Sequence, residues 1–121
     1  LTQEVMVAGW TPGEGRRAGT IGSLLLAVNG PDGLVYAGRV GTGFTEKALA
    51  QIKTELARLE RATPTLTDVP RADAKGAHWV TPTLVGEVAF AEWTDTHRLR
   101  HPAWRGWRPD KDPADVIRAD G

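Results

Sequence analysis

Cysteine is absent from the 121 residues, so no disulfide framework, thiolate zinc site or cysteine nucleophile is available. Its absence fits a cytosolic protein. Neither sign of charge is in excess, since Lys and Arg number fifteen and so do Asp and Glu. Without a global field, any anion-binding surface has to come from local clustering. No apolar run approaches the roughly 18 residues of a membrane span. The opening "LTQEVMVAGW" also lacks the basic start of a secretory signal. Internal repeats and low-complexity segments are missing too. The first residue is Leu rather than Met, which suggests a piece of a longer chain.

What is present reads as one domain with a single core. "EVMVAGW" (4–10) alternates and is rich in valine, so it predicts a first strand, followed by a Gly/Pro loop, "TPGEGRR" (11–17). "GTIGSLLLAVN" (19–29) is an apolar strand whose interior Gly22 signals a bulge or barrel corner. "GPDG" (30–33) is a turn, and "LVYAGRV" (34–40) returns as the third strand. The period then changes. Over Thr45 to Arg61, Leu49, Ile52, Leu56 and Leu59 form one helical stripe, with Thr45 as N-cap and Glu46 in the first turn. The charges of this helix alternate in sign, which predicts a solvated outer face. A polar connection (62–76) leads to a fourth long strand over 78–94 and a fifth over 96–108. The tail "PDKDPADVIRADG" reads as a fraying loop. Three strands, a helix, then two strands is the order of an OB-fold: an all-β, five-stranded Greek-key barrel with a helix between strands 3 and 4. The expected division is an OB domain over 1–108 and a tail over 109–121.

The unusual segment is "RLRHPAWRGWRPDK", where Arg98, Arg100, Arg105, Arg108 and Lys111 crowd together with His97 and His101. Eleven of the fifteen cations in the chain are Arg, whose planar fork suits phosphate oxygens. On an unbroken strand Arg98, Arg100 and Arg108 share a face. Trp104 and Trp107 have opposite parity, so a regular strand cannot turn both inward. A basic edge strand that merely solvates the barrel would show the same composition. Glu87 and Glu92 fall on opposite faces of one strand, and the three histidines show no metal spacing.

The same segment resembles motif VI of the ATP-dependent DNA ligases, in outline Arg-x-Pro, a short gap, then Arg-x-Asp-Lys. Arg100 and Pro102 match the first part; Arg108, Asp110 and Lys111 match the second. Pro109 stands where the family often has an acid. "GWTPGEGRRAGTIGSLLL", "YAGRVGTGFTE" and "HWVTPTLVGEVAFAEWT" extend the likeness to the C-terminal OB domain of bacterial ligase D, which acts in non-homologous end joining. The nucleophilic Lys-x-Asp-Gly motif of these enzymes occurs nowhere in the chain.

The resemblance implies a partial active site. Arg100, Arg108 and Lys111 would contact the β- and γ-phosphates of ATP while an upstream adenylation domain forms lysyl-AMP. Asp110 would orient a neighbouring cation or a family-typical partner across the cleft rather than act as a base. ATP, with Mg2+ or Mn2+, would be bound mainly by that upstream domain. The OB domain would then swing round to nicked duplex DNA, using Arg16, Arg17, Arg39, Thr42 and Gly43. No membrane partner is implied, and the setting is the bacterial cytoplasm, at the nucleoid. Three other readings remain from sequence: a free-standing single-strand-binding OB module, the OB domain of an mRNA capping enzyme, and a protein-interaction domain.

Overall fold

A computed structural model describes residues 1–17 and 19–119. The first strand, β1 (Thr2–Pro12), is the spine of the molecule. It pairs antiparallel with β2 (Ile21–Gly30) along one edge. Along the other edge it pairs first with β6 (Val85–Ala89) and then with β5 (His78–Val80). Because both edges and both faces of β1 are covered, Val5 to Ala8 are all buried, and the expected alternation gives way to a continuous apolar run. β2 turns through Pro31 and Asp32 into β3 (Gly33–Val40), with Gly30 opposite Gly33, the hairpin that "GPDG" predicts. Gly22 sits where the β1–β2 register slips, between the Thr11–Ser23 and Pro12–Ile21 pairs. A Cβ there would lie 2.7 Å from the Pro12 carbonyl oxygen, so the bulge needs glycine.

The helix α1 (Glu46–Ala57) starts where its sequence predicts, with the Thr45 hydroxyl accepting the Ala48 N–H at 3.0 Å. Leu49, Ile52 and Leu56 are buried by it. It ends earlier than the stripe to Arg61 suggests. Glu60 and Arg61 form β4 and pair with Val80 and Trp79, while the Leu59 carbonyl accepts the Thr81 N–H at 2.8 Å. Sheet pairing with a distant segment overrides local helix preference there. The polar connection contains a short helix, α2 (Arg71–Ala74), opened by Pro70.

Both expected long strands are broken. The fourth becomes β5, β6 and β7 (Glu92–Trp93), interrupted around Pro82, which has no N–H to give a ladder. The fifth becomes β8 (Leu99–Arg100) and β9 (Ala103–Trp107), separated by His101 in the left-handed region (φ 54°) and by Pro102. β7 and β8 form their own two-stranded ribbon, while β9 pairs with β6. Counted by chain course, the main strands follow the order β3-β2-β1-(β5, β6)-β9, with α1 between the third and fourth, as an OB-fold requires. The sheet is open between β3 and β9, where one backbone bond, Trp104 N–H to the Thr42 carbonyl at 2.9 Å, bridges the seam.

Arg105 is a bulge, because Glu87 pairs with Gly106 and Val88 with Trp104. The extra residue cancels the parity difference between the two tryptophans. Trp104 is buried, and Trp107 packs against the core with its ring edge on Trp104 at 5.0 Å. Residues 112–119 do not fray as their composition suggests. Val116 is 3% exposed, and Ile117 bridges to Asn29 in parallel.

Candidate functional site

The basic segment that resembles motif VI ends at the rim of β9. The Arg108 N–H donates to the Val85 carbonyl at 2.7 Å, fixing the backbone of this residue to β6. Its guanidinium reaches two carboxylates. Nε and Nη2 donate to the two oxygens of Asp110 at 3.1 and 3.0 Å, and Nη1 donates to Glu87 Oε2 at 2.8 Å. The Lys111 N–H returns to the Arg108 carbonyl at 3.1 Å and closes a tight turn over Pro109 and Asp110. The structure therefore brings Arg108, Asp110 and Lys111 together.

The electrostatics follow from that geometry. Hydrogen bonds donated to Asp110 hold the Arg108 guanidinium protonated well above its ordinary range, with Glu87 and Glu4 adding to the effect. The guanidinium in return holds the Asp110 carboxyl below its ordinary 3.8. Two carboxylates engage three of the five N–H donors of the fork, which leaves one on each terminal nitrogen. The carboxylates thus orient Arg108 while offsetting its charge. Lys111 makes no ion pair among the described residues, so its ammonium is not oriented by a direct contact, although its charge acts on the Asp110 carboxylate.

Arg100 stands apart from this group. It lies on β8, opposite Glu92 of β7, and its Nε is 3.3 Å from Glu92 Oε1. Because β8 and β9 belong to different sheets, Arg98, Arg100 and Arg108 do not share the face that an unbroken strand would give them. Arg98 serves the fold. It donates to the carbonyls of Tyr36, Thr96 and Asp68 and lies 4.9 Å over the Tyr36 ring. Sequence parity rejects Glu87 and Glu92 as a pair; each instead holds one of the two arginines of the motif. Only the β6–β9 and β7–β8 registers reveal this, and no local signal carries them.

The expected DNA-facing residues fall in two places. Arg16 is exposed in a short turn, Gly15–Arg17; the side chain of Arg17 lies outside the described residues. Lys53 of α1 braces this loop through the Gly19 carbonyl. Arg39 lies beside the same loop, along a shallow groove with Gly13, Glu14, Gly22, Ser23 and Gly41, and its Nε is 3.7 Å from Asp73. Thr42 and Gly43 occupy the seam with β9. Gly43 has φ 91°, and a Cβ there would come within 2.6 Å of the Trp104 backbone nitrogen. The turn after β3 therefore has a packing role that its glycines explain without any ligand. Among the described residues, no three His, Asp or Glu side chains gather to hold a metal ion.

Four similarities bear on this arrangement. Residues 17–111 match the family described as ATP dependent DNA ligase C terminal region. The chain is 51% identical, over 118 residues, to the multifunctional non-homologous end joining DNA repair protein LigD of Mycobacterium tuberculosis. That alignment covers 97% of this chain and 16% of the relative, so the chain spans about a sixth of that protein's length. The crystal structure of the ligase domain of M. tuberculosis LigD superposes with a TM-score of 0.93 at 48% identity, covering 98% of this chain and 39% of that one. A mycobacterial DNA ligase D complexed with ATP and MES superposes with a TM-score of 0.86 at 47% identity, covering 98% of this chain and 38% of that one.

Proposed function

The chain belongs to the family of ATP-dependent DNA ligase C-terminal regions, and from that premise we propose that it is the OB domain that completes the adenylation site of a bacterial end-joining ligase. The observation that carries the reading is the Arg108–Asp110–Lys111 turn, held rigid at the exposed rim of the barrel.

When the adenylation-domain lysine attacks the α-phosphorus of ATP, the bond to pyrophosphate breaks and negative charge grows on the leaving group. Cations already fixed where that charge appears lower the barrier, because nothing has to reorganise during the reaction. Lys111 supplies an ammonium that no ion pair among the described residues holds. Arg108 supplies the two N–H groups that Asp110 and Glu87 leave open. Arg100, on its separate ribbon, would reach the same phosphates from the β7–β8 side. Losing one such donor costs about 10²–10³ in rate at comparable sites. The Mg2+ or Mn2+ that the family implies would be bound mainly by the adenylation domain; among the described residues no three His, Asp or Glu side chains gather to hold it. The chain has no Lys-x-Asp-Gly nucleophile; on this reading its partner would be the adenylation domain, upstream in the same polypeptide.

After adenylation, AMP passes to the 5′-phosphate of a nick and the 3′-hydroxyl seals it. Motif VI would have to leave the nucleotide for DNA to enter, a hinge motion of a rigid domain. Arg39 lines the groove that would be offered to the nicked duplex, and Arg16 and Arg17, from the adjoining turn, would add contacts to its phosphates. The proposed setting is the bacterial cytoplasm, at the nucleoid.

Single-turnover lysyl-AMP formation in the full-length ligase tests this reading. Lys111→Ala should slow adenylation about 10²-fold and leave the sealing of a pre-adenylylated nick unchanged. Equal loss in both steps would refute the phosphate assignment.

A further inference from the structure

Lys111 differs from Arg108 in how it is held. Two carboxylates aim the arginine, whereas none among the described residues aims the lysine. A flexible four-carbon side chain without a partner is placed only as well as its backbone. Upstream, that backbone is fixed to β6 through Arg108. Downstream it enters a strap, residues 112–119, that crosses the ends of β1 and β2.

The strap starts with a cap, as the Asp112 carboxylate accepts the Ala114 N–H at 2.9 Å. Two amide side chains then seize it. Asn29, at the end of β2, donates from Nδ2 to the carbonyls of Pro113 and Val116 at 2.8 and 3.0 Å, and its backbone N–H donates to Val116 at 2.8 Å. Gln3, 3% exposed on β1, donates from Nε2 to the Ile117 carbonyl at 2.7 Å and accepts the Ala119 N–H at 2.9 Å. Between them the Val116 side chain enters the core. A buried amide on a valine-rich strand is costly unless its donors and acceptor are satisfied, and here the strap supplies most of the partners. Gln3 also donates from Nε2 to the Glu4 carbonyl of β1 at 2.8 Å, while its other partners, and the carbonyls that Asn29 Nδ2 reaches, belong to the strap.

We propose that Asn29 and Gln3 are positioning residues for adenylation, holding the strap so that Lys111 stays at the place of the leaving phosphates. The inference rests on the phosphate role of Lys111 given above. The interaction acts on charge that develops in the transition state, so its loss falls on kcat rather than on KM for ATP. A displacement of about 1 Å in such a group costs about 10²-fold in rate.

The test uses the full-length ligase carrying Asn29→Asp, which sets a carboxylate against two carbonyls, and Gln3→Ala as an independent variant. Lys111→Ala serves as the control. Three quantities are read for each: the adenylation kcat and KM for ATP, the sealing of a pre-adenylylated nick, and hydrogen exchange over 112–119. The expected result is faster exchange confined to the strap, an adenylation kcat lowered about 10²-fold with KM unchanged, and normal sealing. Parallel loss of adenylation and sealing would show a general folding role and overturn the inference. Faster strap exchange with normal adenylation would overturn it as well. Normal adenylation by Lys111→Ala would instead remove the phosphate reading itself, and the inference with it.

Discussion

Arg108 Nη1 donates to Glu87 Oε2 at 2.8 Å, which ties the head of the motif VI turn to the middle of β6. Glu87 lies opposite Glu4 of β1 on one side and Gly106 of β9 on the other. The arginine is therefore oriented by the sheet itself as well as by Asp110 from its own turn. Glu87→Gln removes the charge but keeps the shape, and the expected result is a fall in adenylation of about 10-fold, in the range for partners that orient a functional group. Single-turnover adenylation at saturating ATP checks it, with nick sealing as the internal reference.

Arg108→Lys keeps the charge and loses the fork. An ammonium cannot engage both Asp110 oxygens and Glu87 while leaving donors on two separate nitrogens. The expected loss in adenylation is about 10²-fold, close to that of Arg108→Ala. A rate near that of the native enzyme would mean that charge alone suffices.

Arg98 lies in the same basic segment but behaves differently. Its guanidinium satisfies three backbone carbonyls and covers Tyr36. Arg98→Ala should lower the unfolding free energy by about 2 kcal/mol, measured by urea denaturation of the domain. Enzyme that remains folded should show unchanged adenylation kinetics.

Tyr36 links stability to alkaline pH. Burial first, then the hydrogen bond of its hydroxyl to Asp73 at 2.9 Å, pushes its pKa up from 10.0. The unfolded chain ionises near 10, while the folded protein still holds the proton. The stabilisation is complete below pH 10 and is lost as the pH rises through the window between the two values. Tyr36→Phe should flatten that loss. Asp110 acts in the opposite direction. Its depressed pKa contributes stability above about pH 4 that fades as the pH falls below this value. Denaturation midpoints measured against pH at both ends read the two effects.

Local signals made part of this molecule legible in its sequence. The Thr45 cap, the Leu49–Ile52–Leu56 stripe, the Gly30–Gly33 hairpin and the Gly22 bulge each depend on neighbours a few residues away. The turn that joins Arg108, Asp110 and Lys111 was legible because the three lie within four residues of one another along the chain. What escaped depends on register. Leu59 to Arg61 continue a helical stripe, yet they pair with a strand some twenty residues on. The Arg105 bulge reverses parity and places Trp107 with Trp104. Glu87 becomes the partner of Arg108 only through the β6–β9 alignment. The amides of Asn29 and Gln3 meet carbonyls across most of the chain, where no periodicity can point to them.

The most direct measurement compares two fates of one adenylylated enzyme. Lysyl-AMP can be attacked by pyrophosphate, which regenerates ATP, or it can pass AMP to a nicked duplex. By microscopic reversibility, cations that clamp the leaving phosphates must serve the first route. Arg108→Ala and Lys111→Ala, loaded with AMP by prolonged incubation, should show pyrophosphorolysis slowed about 10²-fold and AMP transfer to DNA at the native rate. Equal slowing of both routes, or of DNA transfer alone, would contradict the assignment of this turn to the phosphates of ATP.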